Sequence, residues 1–246
     1  MAEQSAMQGG IIAAGAGSRL RQAGWTVPKP LVEVAGLPLI GRVIRNFRAA
    51  GITSLVIIFN EEERDCERWV RSHYPDLDLR IIVKTTASSL ESFREVCALL
   101  GSGPALLSTV DAWCPEDEFV AFVRAVRQRP ADATVLAVTP LVADERPLWV
   151  TMSPDGRITG IGGDSGEMVT AGIYAVPERV RRLSSVSGLG RLREFLAWLV
   201  AQGEPVYGVV IPNVVDVDRA EDVALAEAMV RKEEAGEAVK PMGVVQ

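Results

Sequence analysis

Four groups of residues carry the types and spacing that chemistry needs. The first is Ala13-Ala14-Gly15-Ala16-Gly17-Ser18-Arg19-Leu20, directly after the apolar run Gly10–Ala14. Small residues let the backbone approach a phosphate chain, and successive N–H groups can face its oxygens. Arg19 adds a permanently charged fork that matches phosphate geometry. A tight strand-to-loop turn has the same composition, so the loop alone decides nothing. It is not a Walker loop, which needs G-x-x-x-x-G-K-[ST], and Leu20 stands where a dinucleotide fingerprint needs its third glycine. The second group is Pro28-Lys29-Pro30, where two prolines should hold the chain extended and give one ammonium a defined target. Its plain alternative is a surface lysine. The third is Asp111, at the end of the apolar run Ala105–Val110. A hard divalent cation prefers carboxylate oxygen; a cap on the next turn is the other reading. The fourth is Asp216-Val217-Asp218, followed by Glu221-Asp222. Alternate residues of an extended segment point the same way, so Asp216 and Asp218 can face one site. Asp218 also reads as a helix N-cap, with Glu221 completing a capping box.

Composition narrows the class. The chain has 246 residues, which suits one large α/β domain. Hydrophobic residues make up 48%, enough for a sizeable core. A net charge of −6 argues against a general nucleic-acid surface, yet leaves room for a locally positive pocket. The three cysteines, Cys66, Cys97 and Cys114, are scattered and form no C-x-x-C pair, so neither a disulfide framework nor a zinc site is expected. The single histidine, His73, excludes any mechanism needing two. No signal-peptide pattern and no apolar stretch near ~20 residues is present, so a soluble cytoplasmic protein without membrane contact is expected.

The elements that must position these residues alternate. Strand-like runs occur at 10–14, 55–59, 79–83, 105–110 and 134–138, with helix-like segments at 38–50, 61–72, 90–100 and 116–127 between them. Such alternation implies βαβ crossovers and a largely parallel sheet, whose ligands bind beyond the carboxyl ends of the strands. That rule puts the loop after Ala14 and Asp111 on one rim. After residue 145 two strands, at 147–152 and 157–161, meet at Ser153-Pro154-Asp155-Gly156. A strand at 170–176, helices at 177–183 and 189–201, a strand at 206–211 and a helix at 218–232 close the chain. The expected organisation is a disordered or tag-like 1–8, one domain over 9–232, and a frayed tail over 233–246.

The first two groups together resemble the sugar-1-phosphate nucleotidyltransferase family. Its signature is an apolar strand, A-A-G-x-G-x-R-L, a variable stretch, P-K-P-L, then a G-x-P-[LM]-I helix start. Every element occurs in order across residues 11–40. The resemblance implies a Rossmann-like three-layer sandwich with a mostly parallel mixed sheet. It implies nucleotidyl transfer from an NTP to a phosphorylated small molecule, with pyrophosphate released. It also implies that Ala13 to Arg19 bind the nucleotide, that Arg19 grips the triphosphate, and that Lys29 neutralises the reacting phosphates. Asp111, with Asp218 or Asp216, would hold Mg2+; Asp218 is preferred for its place before the helix.

Two stretches depart from the family pattern. Where relatives carry a glycine-containing base-reading turn, this chain has Lys84-Thr85-Thr86-Ala87-Ser88-Ser89. Ser88 or Ser89 would contact base or ribose, or cap the next helix. Before the strand Thr170-Ala171-Gly172-Ile173-Tyr174 the usual E-K-P lysine is missing. Glu167 and Gly172 are the acceptor-side candidates there. The acceptor is therefore a sugar 1-phosphate or a non-sugar phosphate such as a phosphocholine, phosphonate or polyol phosphate, the latter with a cytidylyl or guanylyl donor. A non-catalytic nucleotide sensor on the same fold is the rival outside enzymes. A homo-oligomer stays open.

Overall fold

The computed structural model describes residues 7–142 and 147–235. The chain runs β1 (Gln8–Ala13), α1 (Ser18–Gln22), β2 (Glu33–Val34), β3 (Leu37–Pro38), α2 (Leu39–Ala49), β4 (Ser54–Phe59), α3 (Arg64–His73), β5 (Asp78–Val83) and α4 (Ser89–Leu99). It continues through β6 (Ala105–Thr109), β7 (Ala112–Trp113), α5 (Glu116–Val126), β8 (Thr134–Thr139), β9 (Trp149–Met152), β10 (Ile158–Ile161) and β11 (Met168–Val176). It ends with α6 (Glu178–Leu183), α7 (Leu192–Ala201), β12 (Val206–Val210), β13 (Val215–Asp216) and α8 (Ala220–Glu234). Short 3-10 turns occupy Lys29–Leu31 and Glu61–Glu63.

The sheet order is β5-β4-β1-β6-β11-β8-β12. The β9–β10 hairpin joins the first residues of β11. β5, β4, β1 and β6 are mutually parallel, as are β8 and β12, while β11 runs antiparallel between the two groups. This is the mixed, mostly parallel sheet of a Rossmann-like single domain. Alternate strand residues enter two different cores. Ile11, Leu55, Ile57 and Leu106 pack on one face with α2, α3, α5 and α8. Ile12, Val56, Ile58 and Leu107 pack on the other with α4, α6 and α7. The continuous apolar runs follow from this, because a strand covered on both faces has no polar side. No helix among the described residues is long and apolar enough to cross a membrane.

The expected elements are present with small shifts, and the short ones are new. Gln8 belongs to β1 and Glu234 to α8, so both ends of the folded part extend past 9 and 232. Residues 1–6 and 236–246 of the expected terminal segments lie outside the described residues. Around Lys29 the chain is not extended throughout. Pro28 is extended, at φ −54° and ψ 143°, and a 3-10 turn follows at once. Pro30 fits that turn's opening, where a missing N–H leaves no bond unmade.

Candidate active site

Asp111 lies two residues past β6, in the turn into β7. Its carbonyl accepts from Trp113 N at 2.7 Å and from Val217 N at 3.0 Å. β7 pairs antiparallel with β13, Val215 against Trp113 and Asp216 against Ala112. This two-residue ladder joins segments about 100 residues apart in sequence, and it carries Asp216 and Asp218 to Asp111. Asp111, Asp216 and Asp218 each place an oxygen within 4.8 Å of the others.

Cations meet that cluster. Lys29 is 7% exposed. Its Nζ donates to Asp111 Oδ2 at 2.5 Å and to Asp218 Oδ1. Arg19 Nη1 donates to Asp218 Oδ2 at 2.6 Å. Burial pulls the Lys29 pKa down, but the charges of Asp111, Asp218 and Asp216 outweigh it, and the net shift is upward from 10.5. Burial likewise pushes Asp111 up, and Lys29 with the Thr109 hydroxyl overrides it, leaving the carboxyl below its usual 3.8. Lysine and aspartate are therefore both charged throughout the neutral range.

Asp218 does not cap α8. Its carboxylate is committed to Lys29 and Arg19, and Asp222 Oδ2 accepts from Asp218 N at 3.0 Å and Arg219 N at 2.8 Å instead. The helix starts at Ala220, so Asp222 is its third residue, the position from which a side chain reaches back to the N-cap. The alternative of Asp218 with Glu221 as a capping box is thereby corrected.

The glycine loop sits on the same rim. Ala13 and Ala14 are buried, Gly15, Ala16 and Ser18 are exposed, and α1 starts at Ser18. Gly17 has φ +57°, and a Cβ there would lie 2.8 Å from Lys29 Cβ. Loop and lysine thus pack directly against each other. Gly15 would meet nothing within 4 Å. Its openness leaves the backbone accessible from outside.

On the far side of the carboxylates lies a cavity of about 220 Å³. Asp111, Asp216, Thr109 and Gly172 form its wall towards the cluster. Gly172 has φ +71°, and a Cβ there would stand 2.6 Å from Thr109 Oγ1 and 2.9 Å from Ala112 Cβ. Only glycine lets β11 pass so close to the Asp111 turn. Ser89 lines the cavity, and its Oγ accepts from Leu192 N at 3.1 Å, joining α4 to α7. Ser88 caps α4, accepting from Glu91 N at 3.2 Å. Glu167 is exposed just before β11 and does not line the cavity.

Sequence reasoning passed over two features. Arg191 and Arg193, at the start of α7, line the cavity. They alternate with Leu192 and precede the buried Phe195 and Leu196, so the sequence shows an ordinary amphipathic helix start. Asn60, just after β4, reaches Ala14 O with Nδ2 at 3.5 Å and accepts from the Thr85 hydroxyl at 3.1 Å. It ties the glycine loop to the segment after β5, a contact no local pattern announces.

Known proteins resemble this chain in sequence and in fold. The CMP-5'-(3-aminopropyl)phosphonate synthase of Streptomyces rubellomurinus is 27% identical over 201 residues, covering 76% of this chain and 31% of that protein. The bifunctional IPC transferase and DIPP synthase of Rubrobacter xylanophilus is 26% identical over 238 residues, covering 89% and 51%. The chain thus spans only a third to a half of the length of these relatives. The solved inositol-1-phosphate CTP transferase of T. maritima superposes with a TM-score of 0.79 at 22% identity, covering 96% of this chain and 99% of that one. Residues 9–205 match the MobA-like NTP transferase domain. The chain belongs to that family of nucleotidyltransferases.

Proposed function

We propose that this protein transfers a nucleoside monophosphate from an NTP to a phosphate or phosphonate oxygen of a small acceptor. The observation that carries the reading is the chain of charge Arg19–Asp218–Lys29–Asp111, set between the glycine loop and the cavity. The acceptor oxygen attacks the α-phosphorus, a new P–O bond forms, and the bond to the bridging oxygen breaks. Pyrophosphate leaves with that electron pair. An ionised phosphate is already a nucleophile, so no general base is required. That suits a chain with one histidine, exposed on α3 and bonded to Ser72 and Trp69. The protein's contribution is alignment and charge neutralisation.

In this reading Gly15 to Ser18 offer backbone N–H groups to the triphosphate, Arg19 exchanges Asp218 for phosphate oxygens, and Lys29 stays at the reacting phosphates. The donor set of Asp111, Asp216 and Asp218, three carboxylates with oxygens within 4.8 Å, suits a hard divalent cation. Magnesium held there would neutralise phosphate charge during transfer. Arg191 and Arg193 take the place of the absent E-K-P lysine as the positive groups on the acceptor side. The cavity lies below the ~300–1,000 Å³ of drug-sized sites, which favours an acceptor of sugar or polyol size. The relatives support a phosphorylated or phosphonate acceptor. Three free cysteines fit a cytoplasmic setting.

The test is pyrophosphate release, measured for four NTPs against a library of sugar 1-phosphates, polyol phosphates and phosphonates with Mg2+ present. One NTP–acceptor pair should turn over, and Asp111→Asn should abolish it in a folded protein. Nucleotide-induced thermal stabilisation without turnover across the library would favour a sensor instead.

A further inference from the structure

The three carboxylates come from two arms of the chain. One arm is β6, Asp111, β7 and α5. The other is the segment from β12 through Asp216 and Asp218 to α8. Their β7–β13 ladder has only two residue pairs, and so short a ribbon is marginal by itself. The bond from Val217 N to Asp111 O extends it by one backbone tie, and a side-chain link crosses between the same arms. Glu118, in the first turn of α5, accepts from Asn213 N at 3.0 Å through Oε2 and from Asn213 Nδ2 at 2.6 Å through Oε1. Asn213 is 2% exposed and lies three residues before Asp216.

Upstream, the second arm is tied to a different element. Ile211 N donates to Val138 O at 2.9 Å, and Thr139 Oγ1 donates to Pro212 O at 3.3 Å, both on β8. Beside the apolar contacts of β12 with α5, Glu118 therefore adds a polar tie that refers this arm to the Asp111 arm three residues before Asp216. It uses both carboxylate oxygens on one residue, which fixes direction as well as distance. A charge-assisted acceptor makes each of these bonds stronger than a neutral one.

We propose that Glu118 is a positioning residue for the metal site, holding Asp216 and Asp218 against Asp111 through Asn213. It touches neither substrate nor metal. The inference rests on the metal reading of the carboxylate cluster given above. Groups that orient ligands in this way change metal affinity by about 10–100-fold when removed.

The probe is Mn2+, titrated into the full chain and read by water-proton relaxation, with thermal unfolding recorded for each protein. Wild type should bind, and Asp111→Asn should abolish binding. Glu118→Ala should stay folded and weaken Mn2+ affinity at least tenfold. Glu118→Gln, which keeps one acceptor oxygen, should recover part of the loss. Phe195→Leu serves as the matched control, because it destabilises the opposite core and should leave affinity unchanged. Wild-type binding that Asp111→Asn removes but Glu118→Ala leaves within twofold overturns this proposal alone. An equal loss in Phe195→Leu overturns it too, by making the effect one of general stability. No binding to wild type, or binding indifferent to Asp111→Asn, overturns the metal reading and this proposal together.

Discussion

Lys29 is the residue on which both halves of the site depend. It packs under Gly17 on the phosphate side and pairs with Asp111 and Asp218 on the other. Lys29→Met keeps the stem and removes the charge. Asp111 and Asp218 are 23% and 31% exposed, so water shares the cost of leaving them unpaired. Destabilisation of about 2 kcal/mol is expected, below the 3–5 kcal/mol of breaking a fully buried pair. Turnover should fall by about 10²–10³-fold, the usual cost of one preorganised charge at a reacting centre. Mn2+ affinity of the nucleotide-free protein should rise, because the ammonium no longer competes for the carboxylates. Unchanged or weaker Mn2+ binding in this variant would mean that lysine and metal do not share the site. The pH behaviour follows from the two shifts. Lys29 is raised above 10.5, so its contribution is whole below that pH and is lost as pH rises through the folded value. Asp111 is depressed below 3.8, so its contribution is present above that pH and is lost as pH falls through the folded value. Urea titrations of the wild type at about pH 6 and pH 9 should therefore show no change in stability from this pair.

At the scale of elements, the glycine loop separates backbone strain from ligand approach. Gly17 needs φ +57° and has Lys29 at its back, whereas Gly15 is unhindered in the free protein. Gly17→Ala should cost about 1 kcal/mol or more, and it should raise the KM for NTP by displacing Lys29. Gly15→Ala should leave thermal stability near wild type. If Gly15 is where the phosphate chain comes close, its KM for NTP should still rise. Equal stability losses in the two variants would contradict this division. The loop itself was legible in the sequence because its chemistry is local: small residues, one arginine and a preceding apolar strand. Asp111 was legible for the same reason, as a carboxylate ending an apolar run. The release of Asp218 from the role of helix cap was not. It depends on α8 starting at Ala220 and on Asp222 taking the cap, a shift of a few residues that periodicity cannot resolve. Arg191 and Arg193 were hidden because helix α7 reaches the cavity wall only through tertiary packing on β10 and α4. Glu167 followed from a family pattern, but it is exposed and stands outside the cavity lining.

At the scale of the whole molecule, the sheet makes two cores into one structure. Successive residues of β1 face opposite layers, Ile11 towards α2 and α5 and Ile12 towards α4 and α7. Neither layer can lose its packing without exposing strands that the other also needs. Chains beyond about 150 residues often unfold through intermediates. Here the shared strands argue for a single transition. Two tryptophans test it, because Trp113 is buried in one core and Trp198 packs against the other. Variants retaining only Trp113 or only Trp198 should show coincident urea transitions by fluorescence. Phe47→Ala and Phe195→Ala, one from each core and both fully buried, should each cost about 3–5 kcal/mol. Each should move both tryptophan signals together. Should Phe195→Ala shift the Trp198 transition and leave that of Trp113 in place, the layers unfold separately. The carboxylate cluster would then belong to the Trp113 layer alone, since β7, β13 and α8 all pack there. A coincident shift instead means that both layers, and the carboxylate cluster with them, are lost in one global step, with the site's geometry intact in the molecules still folded.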